Sequence, residues 1–104
     1  MTVKQPSPTE TKPDGLQVIQ ALSDPVRLEI VRQLAGCNGA ELGCGALAIP
    51  VSKSTGSHHF KALLNAGIIT ERNEGTRKFL HLRRAELDEQ FPGLLDSVLR
   101  ATAA

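Results

Sequence analysis

The hydrophobic period changes twice along this chain of 104 residues, and that switch constrains the fold more than any single motif. Up to Asn65 the apolar residues recur at helical spacing. After Ala66-Gly67, a helix stop, residues 68–72 and 77–82 become β-rich around a turn signal, Asn73-Glu74-Gly75-Thr76. From Ala85 the helical period returns. One hairpin cannot stand alone, so it must lie against helices. The expected class is mainly α with a small β-hairpin, built around a single core because 11.1 kDa leaves no room for a second.

Local signals place the helices. A tail of residues 1–14, with three prolines and almost nothing apolar, reads as a flexible arm, and residues 15–104 as the folded domain. Leu16, Ile19 and Leu22 mark a first short helix. Ser23-Asp24-Pro25 starts a second, because an Asp side chain accepts from free N–H groups and Pro at the next position has none to lose. That helix carries Val26, Ile30, Val31 and Leu34 and ends at Gly36. Residues 41–49 are expected to form a weak helix, since Gly43 and Gly45 each cost it about 1 kcal/mol. Ser52 caps the next helix, which runs to Asn65 with a buried stripe of Gly56, Phe60, Leu63 and Leu64. The last helical stretch should kink or restart at Pro92-Gly93.

Composition removes several functions. Three Phe with no Trp or Tyr cannot make a stacking platform for unpaired bases. Paired carboxylates in a cleft, an activated nucleophile and a phosphate-cradling Gly loop are not evident, so no enzyme and no cofactor are expected. Ser57-His58 is not a catalytic pair, because neighbours on a helix point apart. The apolar runs fall short of the roughly 18 residues a membrane helix needs, and no secretory signal precedes them. A cytoplasmic location without membrane contact follows as the expectation. The net charge of +1 hides a partition: residues 52–84 hold seven Lys and Arg against two Glu, with all three His. A basic segment on a mildly acidic body suits a steered DNA-binding surface.

A short helix, a tight turn, a helix with an exposed Ser/His/Lys face and a basic hairpin together resemble a helix-turn-helix with a wing. Residues 21–35, ALSDPVRLEIVRQLA, and residues 51–82, VSKSTGSHHFKALLNAGIITERNEGTRKFLHL, resemble the ArsR/SmtB-type winged helix-turn-helix repressors. The resemblance covers residues 16–84 and, more loosely, the terminal helix. It implies a cytoplasmic homodimer that represses its operator, double-stranded DNA, and releases it on sensing a metal ion, metalloid or redox signal. Carried over by position, Lys53, Ser54, Thr55, Ser57 and His58 are the DNA contacts. Lys61 on the same helix face joins them, with Arg72, Arg77 and Lys78 in the wing. The pattern also departs from the family. Arsenic-sensing members carry E-L-C-V-C-D-L-C where this chain reads Glu41-Leu42-Gly43-Cys44-Gly45-Ala46-Leu47-Ala48, and residues 85–104 hold none of the His that zinc sensors use. No metal site carries over.

Two further features stay open at this level. Cys37 and Cys44 are candidate thiol sensors; the plainer alternative makes Cys44 a small core residue and Cys37 an incidental loop thiol. His58 and His59 diverge by about 100° on a helix, so they do not share one ion readily. His59 is expected to be half-buried and hydrogen-bonded. Leu16, Ile19 and Leu22 with Phe91, Leu94, Leu95 and Val98 make a candidate dimer surface through the first and last helices. A twofold dimer would set two reading helices about 34 Å apart, one DNA turn. The alternative function is a winged-helix protein-interaction module, against which the basic wing argues.

Overall fold

The computed structural model describes residues 13–36, 42–43 and 47–103. The elements run α1 (Gly15–Leu22), α2 (Pro25–Ala35), β1 (Leu42–Gly43), α3 (Lys53–Asn65), β2 (Ile69–Glu74), β3 (Arg77–Leu82), α4 (Arg84–Gln90) and α5 (Leu94–Ala101). The strands form an antiparallel sheet in the order β1-β3-β2. Ile30, Val31, Leu34, Leu63, Ile68, Ile69 and Leu80 are fully enclosed between the helices and the sheet.

The caps expected at Asp24 and Ser52 act as the sequence implies, and Asp14, assigned from sequence to the N-terminal arm, caps α1 as well. Asp14 accepts from Gln17 N at the start of α1. Asp24 Oδ1 accepts from Val26 N at 2.8 Å and Arg27 N at 3.1 Å, with Pro25 at the first helical position. Ser52 accepts from Thr55 N at the start of α3. The far end of α3 is closed by two reversed hydrogen bonds. Ile68 N donates to Leu63 O at 3.0 Å and Gly67 N to Leu64 O at 3.1 Å. Gly67 sits at φ 78°, the left-handed conformation this closure needs. Leu63 and Ile68, brought together by that turn, are both fully buried. The chain leaves α3 directly into β2, which fixes the hairpin beside the helix.

The weak helix expected over residues 41–49 does not form among the described residues. Leu42 and Gly43 pair with Leu80 and Phe79 as β1, and residues 47–49 carry no helix. Gln33 on α2 supplies the reason at Ala48: its amide donates to Ala48 O at 2.7 Å and accepts from Ala48 N at 3.0 Å. Both backbone groups of Ala48 are thereby satisfied by a side chain, which removes the local incentive for helix. Residues 49–51 then run close to α3. A Cβ on Gly56 would lie 3.0 Å from Ile49 Cδ1, so the small residue there is what permits the approach.

The terminal helical stretch breaks at Pro92-Gly93, as expected, with Gly93 at φ 80° before α5 restarts. Arg32 on α2 anchors the end of α5, donating to Leu99 O at 3.1 Å and Thr102 Oγ1 at 2.9 Å. Arg84 pairs with Asp88 within α4 and with Asp96 on α5, and the second pair ties the two helices together. Among the described residues no helix is long and apolar enough to cross a membrane.

Candidate nucleic-acid interface

Helix α3 is amphipathic, and its polar side is turned outward. Lys53, Ser57 and Lys61 succeed one another every four residues, with Ser54 and His58 beside them, and all five are exposed. Thr55 is also exposed, but it is engaged at the cap: its N–H and hydroxyl both meet Ser52 Oγ. Ser57 Oγ donates back to Lys53 O at 3.1 Å, which leaves its lone pairs outward. The outward side of α3 thus presents small hydroxyls flanked by two ammonium groups, a surface that can approach a duplex closely.

The hairpin register differs from the sequence expectation, and the difference matters for the wing. A four-residue turn over residues 73–76 would set Arg72 opposite Arg77. The structure instead pairs Asn73 with Lys78 and Glu74 with Arg77, leaving a two-residue turn at Gly75-Thr76 with Gly75 at φ 61°. Arg72 therefore faces Phe79. Because opposed residues share a sheet face, Arg72, Glu74, Arg77 and Phe79 lie together, while Glu71 and Lys78 occupy the other face. Arg72 Nη1 meets Glu74 Oε2 at 2.7 Å, and Lys78 Nζ lies 3.6 Å from Glu71 Oε1. The guanidinium carbons of Arg72 and Arg77 lie 4.6 and 5.4 Å from the centroid of the Phe79 ring. Phe79 was not among the sequence candidates, although a two-residue turn would have placed it opposite Arg72 by counting alone.

His59 turns inward. Its Nδ1 lies 3.8 Å from Asp24 Oδ1, beyond hydrogen-bond distance, and is buried without a partner, contrary to the hydrogen-bonded histidine expected. The Asp24 carboxyl lies below the ordinary aspartate range. Burial pushes it up, but hydrogen bonds from the Arg27 and Val26 N–H groups and the positive charges of His59 and Arg27 outweigh that. Asp24 thus joins the start of α2 to the inner side of α3.

The candidate dimer residues divide. Leu22 and Leu95 are buried in the protomer's own core, so they are not part of its surface. Leu16 and Ile19 are 66% and 54% exposed, and Phe91, Leu94 and Val98 are half-buried. The first and last helices do lie side by side. Val18, Leu22, Leu87, Phe91, Leu94 and Leu95 line one narrow crevice, and the Phe91 ring sits 3.4 Å from where a Gly15 Cβ would be. Cys37 and Cys44 lie outside the described residues. Among the described residues no cluster of three His, Cys, Asp or Glu could hold a metal ion.

A capped helix with an outward polar face, followed at once by an antiparallel hairpin and covered by further helices, is consistent with a winged helix-turn-helix. The comparisons agree. The chain is 37% identical over 84 residues to an uncharacterised HTH-type transcriptional regulator of Bacillus subtilis, YceK, covering 79% of this chain and 83% of the relative. It is 37% identical over 95 residues to an arsenical resistance operon repressor of Bacillus subtilis, covering 86% of each. A Staphylococcus aureus protein of that same description is 36% identical over 73 residues, covering 69% and 68%. No protein-family model matches the chain. On the strength of these relatives, which are regulators and not enzymes, the chain belongs to the ArsR family of helix-turn-helix transcriptional repressors.

Proposed function

We propose that this chain represses transcription by binding a pseudo-palindromic operator as a homodimer. Helix α3 enters the major groove and the hairpin reaches the flanking backbone. The observation that carries the reading is the single exposed face of Lys53, Ser54, Ser57, His58 and Lys61, standing beside a hairpin that ends in Arg77. Ser54, Ser57 and Thr55 approach phosphates, Lys53 and Lys61 neutralise them, and His58 is placed for a base edge. Lys78 and Arg72 add positive charge to the wing. Dimerisation uses Leu16 and Ile19 of α1 with the partly exposed Phe91, Leu94 and Val98.

Release belongs to thiol chemistry in this proposal. Cys37 and Cys44 are the only thiols in the chain, and two relatives are named for arsenical resistance. An oxidant or thiophilic ligand at these residues weakens operator binding. The test is fluorescence anisotropy on a labelled duplex from the promoter of its own gene, with reduced protein, oxidised protein and Cys44→Ser. Tight binding by reduced protein, loosened by oxidation only while Cys44 is present, supports both halves. Equal affinity in the oxidised and reduced proteins leaves the thiols structural, and no promoter binding in either refutes operator recognition itself.

A further inference from the structure

The outer face of the hairpin carries an arrangement that simple charge counting does not capture. Gly43, Phe79 and Arg72 stand in one row across β1, β3 and β2. Gly43 leaves the flank of the ring uncrowded: even a Cβ there would remain 3.9 Å from ring Cδ1 and Cε1. Glu74 and Arg77 form the neighbouring row toward the tip on the same face. Two guanidinium groups therefore share one aromatic ring, yet their situations differ. Arg72 is hydrogen-bonded to Glu74. Arg77 follows the turn directly, and among the described residues its interaction is with the ring.

The difference has an electrostatic consequence. Glu74 is exposed at the tip of the wing, directly opposite Arg77, where its carboxylate would repel a phosphate backbone. Arg72 cancels that charge in place. Arg77 is left as the guanidinium available to DNA, and a long side chain held against a ring surrenders less rotamer freedom on binding than one that is not. A guanidinium entering a minor groove responds to groove width, because narrow A·T tracts concentrate negative potential.

We propose that Phe79 is a positioning residue for specificity. Its ring holds Arg77 for insertion into the minor groove beside each half-site, while Arg72 serves as the counter-charge of Glu74 and not as a phosphate contact. The operator then carries A·T-rich flanks. This rests on the operator-binding reading above and adds to it which wing residues read and which only support.

The experiment uses the full chain and two labelled duplexes of the footprinted promoter, identical in their half-sites and differing in A·T- or G·C-rich flanks. Wild-type protein is expected to prefer the A·T-flanked duplex. Phe79→Leu keeps apolar bulk but loses the ring face. It should bind that duplex about two- to fivefold more weakly and lose the preference, and Phe79→Tyr should restore both. Arg77→Lys, which keeps the charge, should keep the salt dependence and lose the preference. Arg72→Ala should weaken both duplexes and be rescued by a second change, Glu74→Ala. Equal wild-type binding to both duplexes overturns the inference alone. So does a flank preference that survives Phe79→Leu and Arg77→Lys, or an Arg72→Ala defect that Glu74→Ala does not repair. Wild-type protein that binds neither duplex overturns the operator reading and this inference with it.

Discussion

The salt dependence of operator binding can be worked from the ion pairs of the site. Five cations lie on α3 and the wing: Lys53, Lys61, Arg72, Arg77 and Lys78. Two already have carboxylate partners, Arg72 with Glu74 and Lys78 with Glu71. Lys53, Lys61 and Arg77 have none among the described residues. In the proposed homodimer, these three unpaired cations on each of two protomers would bring six positive charges to the duplex, each displacing counterions as a phosphate contact does. At about 0.9 per contact, the slope of log K against log salt should be roughly −5.4. Between about 50 and 200 mM salt, affinity should then fall by roughly three orders of magnitude. Engagement of all five cations would steepen the slope to about −9. Lys53→Ala removes one contact per protomer and should flatten the slope by about 1.8. Anisotropy titrations on the promoter duplex at four or more KCl concentrations measure this directly. A wild-type slope near −9, or a Lys53→Ala slope equal to wild type, would refute the assignment of free and paired cations.

Two other expectations follow from the packing. Asp24→Ala leaves two N–H groups at the start of α2 without their acceptor, which should cost about 1 kcal/mol and lower Tm by roughly 4–8 °C. Asp24→Asn should retain most of the cap. The Asp24 carboxyl is depressed in the folded state, so its charge stabilises above the unfolded aspartate range, and that stabilisation is lost as pH falls through the folded value. Wild type should therefore lose more Tm on acidification than Asp24→Asn; equal losses would show that the charge contributes nothing. Leu16→Glu and Ile19→Glu alter side chains that are mostly exposed in the protomer, so Tm should hold while sedimentation shifts from dimer to monomer. An unchanged mass in both variants would remove α1 from the interface.

Much of the site was legible in the sequence because it depends on short-range rules. Ser52 as a cap sets the phase of α3, and that phase puts Lys53, Ser57 and Lys61 on one side and the buried Gly56 and Leu63 on another. Ala66-Gly67 then forces a tight reversal into the hairpin. What escaped depends on partners distant in the chain. The wing's composition gave its charge but not its pairing, since the turn could be read as four residues or two. Only the two-residue turn sets Arg72 against Phe79 and Glu74 against Arg77. The inward His59 and its neighbour Asp24 are 35 positions apart and meet only when α3 packs beside the start of α2.

The sequence by itself determined where most helices begin and stop, that one hairpin follows α3, and that the positive charge gathers there. Those outcomes rest on side chains acting within one turn of backbone. Tertiary structure decided the rest. Residues 42–43 became a strand because the free edge of β3 offered hydrogen bonds that a glycine-weakened helix could not match, and Gln33 took up both backbone groups of Ala48. The stripe of the first and last helices was divided in the same way. Leu22 and Leu95 fell inside the protomer, whereas Leu16 and Ile19 stayed outside. A helical period identifies which residues are apolar and share a face. Only the packing of neighbouring elements settles how much of that face one chain covers for itself.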